Sequence, residues 1–228
     1  MAKKPVVQIQ TPVGDFNWMF ISGEGRENDN GQMRYSASVY FESMTPKLKD
    51  FISKLDAFWA ENKPKGARKP KSNGVYQEIK LVDDTQPEGF RLSQKGYGAP
   101  LDEDEEATGR FIISAWTGVE MPDGKKKHVL TFNAKGTKVD LGERKLGNGS
   151  RGALKVAGGI YENGTNKGIS LYLNGVIISK FVEYVGETTV EAIDEDEDED
   201  AWDGSELNEA GMEPIIDDDV APKAKVTL

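Results

Sequence analysis

The chain of 228 residues contains no cysteine and a single histidine, and its formal net charge is −10. These counts exclude disulfide bonds, thiolate metal sites and cysteine catalysis, and we expect no metal or other cofactor. No apolar run approaches the roughly 20 residues that cross a bilayer. Residues 1–14 also lack the apolar core of a signal peptide. We therefore expect a soluble, cytoplasmic protein without a membrane partner.

The charge is divided unevenly along the chain. Residues 187–219 contain sixteen Asp and Glu residues and no Lys or Arg. Residues 187–228 carry −14 and the whole chain carries −10, so residues 1–186 carry +4. A basic surface attracts phosphate backbones, and an acidic segment with so little apolar content cannot fold alone. We predict one domain over 1–186, a disordered acidic tail over 187–228, and a nucleic-acid binder whose tail masks its binding surface.

Alternation of apolar and polar residues predicts strands through most of the body. In the segment 33–42, apolar side chains at odd positions face one side, whereas Arg34 and Tyr40 face the other. Gly175 interrupts the last predicted strand and indicates a bulge. In chain order, the predicted strands are 14–22, 33–42, 75–82, 109–117, 127–133, 151–161 and 168–185.

One segment has helical rather than strand periodicity. Thr45 can cap a helix, Pro46 suits its first turn, and the helix should end before Pro64. Its apolar stripe predicts packing against the sheet, although a groove for a partner is the alternative. The stripe consists of Leu48, Phe51, Ile52, Leu55, Phe58 and Trp59.

A basic loop follows the predicted helix. Residues 63–71 (KPKGARKPK) combine five cations with two prolines and a glycine, which predicts an extended loop. We interpret it as an arm that contacts phosphates, and a solvated connection is the alternative. The cations of this basic arm are Lys63, Lys65, Arg68, Lys69 and Lys71.

The sequence offers no positive case for an enzyme. The glycine pattern at 147–152 matches a dinucleotide-binding fingerprint, but the residues after it alternate like a strand and no acid stands about 20 residues further on. The consecutive acids at 102–106 lie on a predicted loop and do not preset a ligand geometry for a cation. No nucleophile, general base and orienting group stand at a spacing that is typical of a catalytic site.

Three predicted strands place cations and an aromatic ring on the face opposite their apolar side chains. Cations can follow phosphates while a ring stacks on a base of any kind, although each ring could instead pack beneath a loop. A mainly β domain with such a face and one inserted helix at about 45–62 fits the OB-fold, a small Greek-key barrel. The candidate residues are Arg34 and Tyr40, then Arg110 and Trp116, then Arg151, Lys155 and Tyr161.

Short motifs follow one another from 109 to 186. They are a lysine-rich hairpin turn (DGKKKH, 123–128), a glycine-rich turn (LGNGS, 146–150), the strand segment LKV (154–156) with Tyr161, and YVG at 184–186. Upstream stand MAKK, early strands, one helix and the basic arm, and downstream an acidic segment surrounds Trp202. This order resembles the replication single-stranded DNA-binding proteins of tailed bacteriophages.

The resemblance implies an OB-fold protein that coats and protects single-stranded DNA during phage replication and recombination, in the host cytoplasm. It implies that Tyr161 stacks on DNA beside Lys155, and it adds Lys125, Lys126 and Lys127 of the lysine-rich turn to the DNA contacts. It further implies that the tail binds the phage DNA polymerase and primase-helicase. A homodimer stays open. The candidate partner-binding residues are Asp194, Glu195, Asp196, Glu197, Asp198, Glu199, Asp200, Trp202, Asp217, Asp218, Asp219 and Leu228.

Two other classes of function stay open at this point. The first is an acidic-tailed chaperone or interaction protein whose basic surface binds another protein. The second is an accessory domain of a DNA enzyme. Salt-sensitive retention on immobilised single-stranded DNA distinguishes the first from a DNA-binding protein, and metal-dependent turnover of DNA would reveal the second.

Overall fold

The structure, a computed structural model, describes residues 5–28, 30–81, 90–93, 96–98, 100–103, 105–121, 124–142 and 144–184, with the backbone alone at 81, 90 and 91. The predicted acidic tail and its candidate partner-binding residues lie outside these ranges. All of the described residues belong to one unit of the chain, Met1–Val185. No helix among them is long and apolar enough to cross a membrane.

Strands dominate the described residues, and the single helix among them is inserted between two strands. The helix is α1 (Pro46–Asn62). The strands are β1 (Val6–Gln10), β2 (Gly14–Phe20), β3 (Arg26–Glu27), β4 (Met33–Phe41), β5 (Val75–Leu81), β6 (Phe90–Leu92), β7 (Glu105–Gly118), β8 (Leu130–Asn133), β9 (Lys138–Val139), β10 (Arg151–Asn163) and β11 (Asn166–Lys180).

Five of these strands close into a barrel, in the order β2, β4, β7, β11, β10 and back to β2. Neighbouring strands are antiparallel except β7 and β11, which are parallel where Trp116 pairs with Tyr172. Numbered along the chain, the five strands meet in the order first, second, third, fifth and fourth. This is the Greek-key barrel of the OB-fold, so the predicted fold class is confirmed.

The barrel closes between β2 and β10 at a pair of glycines, Gly14 and Gly152. A Cβ atom on Gly152 would lie 1.9 Å from the carbonyl oxygen of Ile177, and one on Gly14 would lie 2.5 Å from the carbonyl oxygen of Tyr40. Both distances are far shorter than a carbon–oxygen contact allows. At this closure β2 lies tightly against β4, and β10 against β11, only because neither position carries a side chain.

The helix forms as predicted. The Thr45 hydroxyl oxygen accepts a hydrogen bond from the backbone N–H of Leu48 at 3.2 Å, and α1 ends two residues before Pro64. All six residues of the predicted apolar stripe are buried in the core cluster that α1 shares with the barrel strands. The stripe is therefore core packing against the barrel strands rather than a groove for a partner.

Several predicted strand ends are wrong. The acids at 102–106 are not all in a loop, because β7 already begins at Glu105 and pairs with the end of β5. The strand predicted at 127–133 begins only at Leu130, since the preceding lysines fold back on 119–121. The last strand starts at Asn166 and ends at Lys180. The bulge expected near Gly175 is confirmed, because Asn174 is left unpaired between two partners of β10.

The four strands that the alternation did not predict are β1, β3, β6 and β9. Three of them, β3, β6 and β9, have only two or three residues and pair at the margin of the barrel, with β4, β5 or β8. The fourth, β1, runs beside β10. Such short segments carry too little alternation to stand out from the surrounding loops.

Candidate nucleic-acid interface

Trp116 is the centre of an exposed aromatic surface on the outside of the barrel. Its neighbours Ala115 and Thr117 are buried, so the strand alternation turns the indole outward, where it is 39% exposed. The ring of Tyr172 meets it edge-on, with 5.4 Å between the ring centroids. The guanidinium carbon of Arg34 lies 5.0 Å from the Trp116 ring centroid. An exposed indole with a cation beside it is suited to stack on a base while the cation holds a phosphate.

This surface continues from β7 across β11 to β10. Tyr172 lies against Gly159, where an added Cβ would be 3.1 Å from the ring. Tyr161 stands two residues further along β10 and covers Gly168, where an added Cβ would be 2.7 Å from the ring. The glycines let both rings lie close to the sheet. We call the surface formed by Arg34, Trp116, Tyr172 and Tyr161 the aromatic track.

The basic arm ends beside Tyr161. The backbone N–H of Lys71 donates to the carbonyl oxygen of Lys167 at 2.8 Å, and its Nζ donates to Oδ1 of Asn166 at 3.1 Å. Tyr161 is half-buried, and this burial is the main reason that its pKa is raised. The nearby Tyr76 raises the pKa of Tyr161 further, so its hydroxyl is neutral at physiological pH. Residues that are far apart in sequence thus bring one cation of the arm to one end of the aromatic track.

The backbone of the basic arm is anchored and its cations are exposed. Trp59 donates from Nε1 to the carbonyl oxygen of Arg68 at 3.1 Å, which fixes the middle of the arm to α1. Within the described residues, no carboxylate lies at ion-pair distance from any of the five cations. These cations can therefore meet a phosphate without first breaking an ion pair. The cations are Lys63, Lys65, Arg68, Lys69 and Lys71.

The lysine-rich turn follows the end of β7, and that end pairs with Arg34. The side chains of Lys125 and Lys126 are exposed. Lys127 is partly buried, and its Nζ donates to the Thr117 hydroxyl. Exposed cations therefore stand at both ends of the aromatic track, whereas Lys127 also holds the turn to β7.

Tyr40 and Arg110 lie at the other end of the β4–β7 pair, in a cluster of carboxylates. The Tyr40 hydroxyl donates to Oε1 of Glu78 at 2.9 Å, and burial together with this bond raises the pKa of Tyr40 to about 12. Arg110 donates from Nε to Oε2 of Glu42 at 3.0 Å and lies 3.5 Å from Oε2 of Glu78. Its hydrogen bond to Glu42 raises the pKa of Arg110. We call Tyr40, Glu42, Glu78 and Arg110 the carboxylate cluster.

The sequence pairs each cation with a ring on its own strand, but in the sheet each cation lies beside a ring on the neighbouring strand. Arg34 and Tyr40 are six residues apart on β4, which is about 20 Å along a strand. The same separation divides Arg110 from Trp116 on β7. Antiparallel pairing instead brings Arg34 to Trp116 and Arg110 to Tyr40, whose ring centroid is 5.5 Å from the guanidinium carbon. The predicted residues are all on the outer face, but in exchanged pairs.

The candidates on β10 do not form one cluster. Arg151 makes an ion pair with Asp15, with 2.8 Å between Nε and Oδ1. Lys155 is exposed, and its Nζ lies 4.7 Å from the ring centroid of Phe132. Six residues separate it from Tyr161. Lys155 is thus a cation beside the aromatic track, and Arg151 is held at the start of β10.

Two exposed aromatic residues on the outer face, Tyr172 and Trp18, were not predicted. Tyr172 could have been found, because Ile169, Leu171 and Leu173 are apolar and buried at alternating positions, so Tyr172 must face outward. Trp18 could not, because alternation from the buried Phe16 predicts that it points inward. The backbone of Trp18 has φ +50°, and the pairing of β2 with β4 shifts register around it.

Trp18 and Trp116 line a common depression on the outer face. Trp18 is 49% exposed. The hydroxyls of Ser38 and Ser114 lie in the same depression, 2.9 Å apart and hydrogen-bonded to each other. Arg26, Glu27 and Arg34 line it as well. Two indoles, two arginines, one carboxylate and a pair of hydroxyls therefore meet in one concave site.

A scan against protein-family models finds no match, and neither does a search of curated protein sequences. Among solved structures, the chain is similar to gp2.5, a single-stranded DNA binding protein encoded by bacteriophage T7. The two share 14% sequence identity over 84% of this chain and 100% of that chain, with a TM-score of 0.51. This chain has the fold of gp2.5.

Two structures of the single-stranded DNA-binding protein from bacteriophage Enc34 are also similar. Its C-terminal truncation is 18% identical over 81% of this chain and 95% of that chain, with a TM-score of 0.48. Its complex with single-stranded DNA is 16% identical over 78% of this chain and 89% of that chain, with a TM-score of 0.47. The resemblance inferred from the sequence motifs is thus confirmed as a likeness of fold, which rests on gp2.5.

Proposed function

We propose that this chain is a phage-type single-stranded DNA-binding protein that coats and protects the strand without sequence preference and catalyses no reaction. The observation that carries the proposal is the aromatic track, which has exposed cations of the basic arm at one end and of the lysine-rich turn at the other. Strands β4 and β7 are the second and third strands of the barrel, whose outer face is where OB-folds bind oligonucleotides. The shared fold with a phage protein described as a single-stranded DNA binding protein supports the same function.

The rings and the cations of this surface bind different parts of the DNA strand. Rings of the aromatic track stack on bases, and every base offers a π-face, so binding tolerates any sequence. Exposed cations neutralise phosphates and release counterions, so log affinity falls by about 0.7 per neutralised phosphate for each unit of log salt concentration. A duplex hides the faces of its bases from the rings. Preference for single strands is therefore built into the track.

The acidic tail gives the proposal a regulatory part. Residues 187–228 carry −14, opposite in sign to the +4 of residues 1–186. A tethered polyanion can reach an effective concentration in the millimolar range and compete with DNA for the cations. We propose that the tail masks the aromatic track until DNA displaces it. Its acids and Trp202 are then exposed to replication partners, for which the phage DNA polymerase and primase-helicase are our candidates.

Tryptophan fluorescence of the full chain tests DNA binding directly. Oligo-dT of several lengths and a blunt duplex of matched length are titrated at two salt concentrations. We expect quenching by oligo-dT, weaker binding at high salt, and much weaker binding of the duplex. Equal affinity for the two nucleic acids, or an affinity indifferent to salt, contradicts the proposal and favours a basic surface that binds another protein.

Truncation of residues 187–228 tests the masking by the tail. The truncated chain should bind oligo-dT more tightly than the full chain at low salt, and the difference should shrink as salt screens both contacts. The truncation should also abolish the salt-sensitive association with a replication polymerase. If affinity is unchanged at every ionic strength, the tail serves partner binding alone and does not mask the track.

A further inference from the structure

Three unfavourable features meet at the depression between Trp18 and Trp116. Trp18 adopts φ +50°, a left-handed conformation that is a genuine outlier for a bulky residue. Arg26 on β3 pairs directly with Arg34 on β4, and like charges in opposite positions of a sheet repel one another. Half of the Trp18 side chain is exposed. Local strain and repulsion that persist together at one surface indicate a site shaped for a ligand.

We propose that this depression is a subsite for one unpaired nucleobase, held between the indole rings of Trp18 and Trp116. The proposal rests on the proposed function, since the ligand is a base of the bound single strand. It assigns Trp18, which lies outside the aromatic track, as a further DNA-binding residue. The strained backbone of Trp18 turns outward a ring that strand alternation would otherwise direct inward.

The hydroxyl pair in the depression suits the edge of any base. Ser38 and Ser114 share one hydrogen bond, in which either oxygen can be the donor. Each hydroxyl offers one donor and two acceptor lone pairs, so the pair can turn to meet a carbonyl oxygen or an amino group. The subsite can therefore hold thymine, cytosine or a purine by hydrogen bonding, without selecting among them.

The two arginines explain why a nucleotide fits better than an uncharged aromatic ligand. Arg26 and Arg34 both line the depression, as does Glu27, but no carboxylate lies at ion-pair distance from either arginine within the part of the chain that the structure describes. Each guanidinium lies over a ring, Arg26 at 5.3 Å from the centroid of Phe20 and Arg34 at 5.0 Å from that of Trp116. Phosphates on either side of the inserted base would relieve the repulsion between them.

A double-mutant cycle on the full chain tests whether the two indoles hold the same base. Oligo-dT affinity is measured for the wild type, Trp18→Ala, Trp116→Ala and the double variant. We expect each single change to weaken binding about tenfold, within the range for loss of one base–aromatic stack. The affinity of the double variant should fall by clearly less than the product of the two single-variant factors. A base that is no longer held by one ring gains little from the other ring. Losses that multiply mean that the rings contact different bases and overturn the subsite.

A glycine variant separates binding from folding. Glycine adopts φ +50° without strain, so Trp18→Gly should raise the melting temperature relative to Trp18→Ala while binding oligo-dT no better. Trp18→Phe should recover most of the affinity. The matched control is Phe181→Ala, which removes another exposed ring beneath an arginine, outside the depression. We expect the control to keep wild-type affinity.

Cross-linking locates the base. Oligo-dT with a single 5-iodouracil is irradiated with the full chain, and the modified residues are identified by mass spectrometry. Cross-links to Trp18 as well as Trp116 support the subsite. If the wild type binds oligo-dT while Trp18→Ala keeps full affinity and Trp18 is never cross-linked, the subsite is wrong and the proposed function stands. If the wild type does not bind oligo-dT, the proposed function itself fails.

Discussion

The two ends of the β4–β7 surface carry the same kinds of side chain in different surroundings. At one end the guanidinium of Arg34 lies over Trp116, and no carboxylate within the described residues is at ion-pair distance. At the other end the guanidinium of Arg110 lies over Tyr40 and contacts two carboxylates. A cation beside an aromatic ring is therefore common to both, but only the first is available to a phosphate and a base.

The difference shows that the neighbours of a cation decide what it can bind. A phosphate that approached Arg110 would have to displace Glu42 and would meet the negative charge of Glu78. The Tyr40 hydroxyl is likewise committed, because it donates to Glu78. Under the proposed function, the aromatic track is the DNA-binding surface and the carboxylate cluster is its border.

Between the two ends of the β4–β7 surface, the larger effect on DNA binding should come from Trp116. Trp116→Ala should weaken oligo-dT binding by about 1–3 kcal/mol, the cost of losing one base–aromatic stack. Tyr40→Ala at the other end should change affinity far less. Fluorescence anisotropy of a labelled oligo-dT measures both, and circular dichroism confirms that both variants are folded. If Tyr40→Ala costs as much affinity as Trp116→Ala, both ends of the surface bind DNA and the carboxylates around Arg110 do not exclude it.

A smaller effect is expected at the far end of the aromatic track. Tyr161 offers one face only, because its ring covers Gly168 and is half-buried. Tyr161→Ala should therefore cost about 1 kcal/mol of binding free energy, at the low end of the range for one stack. Tyr161→Phe is the matched control and should bind like the wild type. An undiminished affinity of the alanine variant would remove Tyr161 from the track.

Removing the carboxylate of Glu42 should make Arg110 more available to a phosphate, as Arg34 is at the other end of the β4–β7 surface. Glu42→Gln leaves a neutral partner for Arg110, so a phosphate can compete for the guanidinium. We expect tighter oligo-dT binding by about 0.5 kcal/mol at low salt, the scale of one exposed ion pair. The salt dependence should steepen by about 0.7, the value for one more phosphate. Glu61→Gln, on α1, serves as the control for the same change in net charge. If both variants behave alike, a general charge effect explains the gain.

The sequence predicted the barrel because its core strands alternate clearly. Tyr35, Ala37 and Val39 are buried, as their positions within 33–42 required, and the cap at Thr45 placed the helix to within a residue. Outward-facing candidates followed from the same alternation. The existence of each strand, and the face of the sheet on which each side chain lies, depend on the local order of apolar and polar residues. Both can therefore be predicted from a single sequence.

The pairing of the candidates could not be predicted in this way. Arg34 meets Trp116 only because of the register between β4 and β7, which depends on long-range contacts. Trp18 is exposed because its own backbone, with a positive φ, reverses the alternation of β2. The sequence gives no sign of this conformation, because a positive φ is rare for tryptophan. The carboxylate partners of Arg110 come from two different strands or their ends. Such contacts become visible only in the assembled sheet.

The smallest effect on DNA binding should come from Tyr40→Phe, which changes the pH dependence of stability instead. Burial and the hydrogen bond to Glu78 raise the pKa of Tyr40 to about 12, above its unfolded value of 10.0. A raised pKa stabilises the folded chain fully below pH 10 and loses that contribution as the pH rises through about 12. The wild type should therefore melt higher than Tyr40→Phe at neutral pH, and the difference should shrink towards pH 12.

Thermal melts of both proteins across this range measure the difference, and oligo-dT affinity at neutral pH should be nearly equal for the two. A gap in melting temperature that stays constant up to pH 12 would show that the Tyr40 hydroxyl is not held by Glu78. A loss of affinity as large as that of Trp116→Ala would place the hydroxyl on the DNA. In that case the carboxylate cluster would be part of the binding surface rather than its border, because the hydroxyl cannot donate to Glu78 and to DNA at the same time.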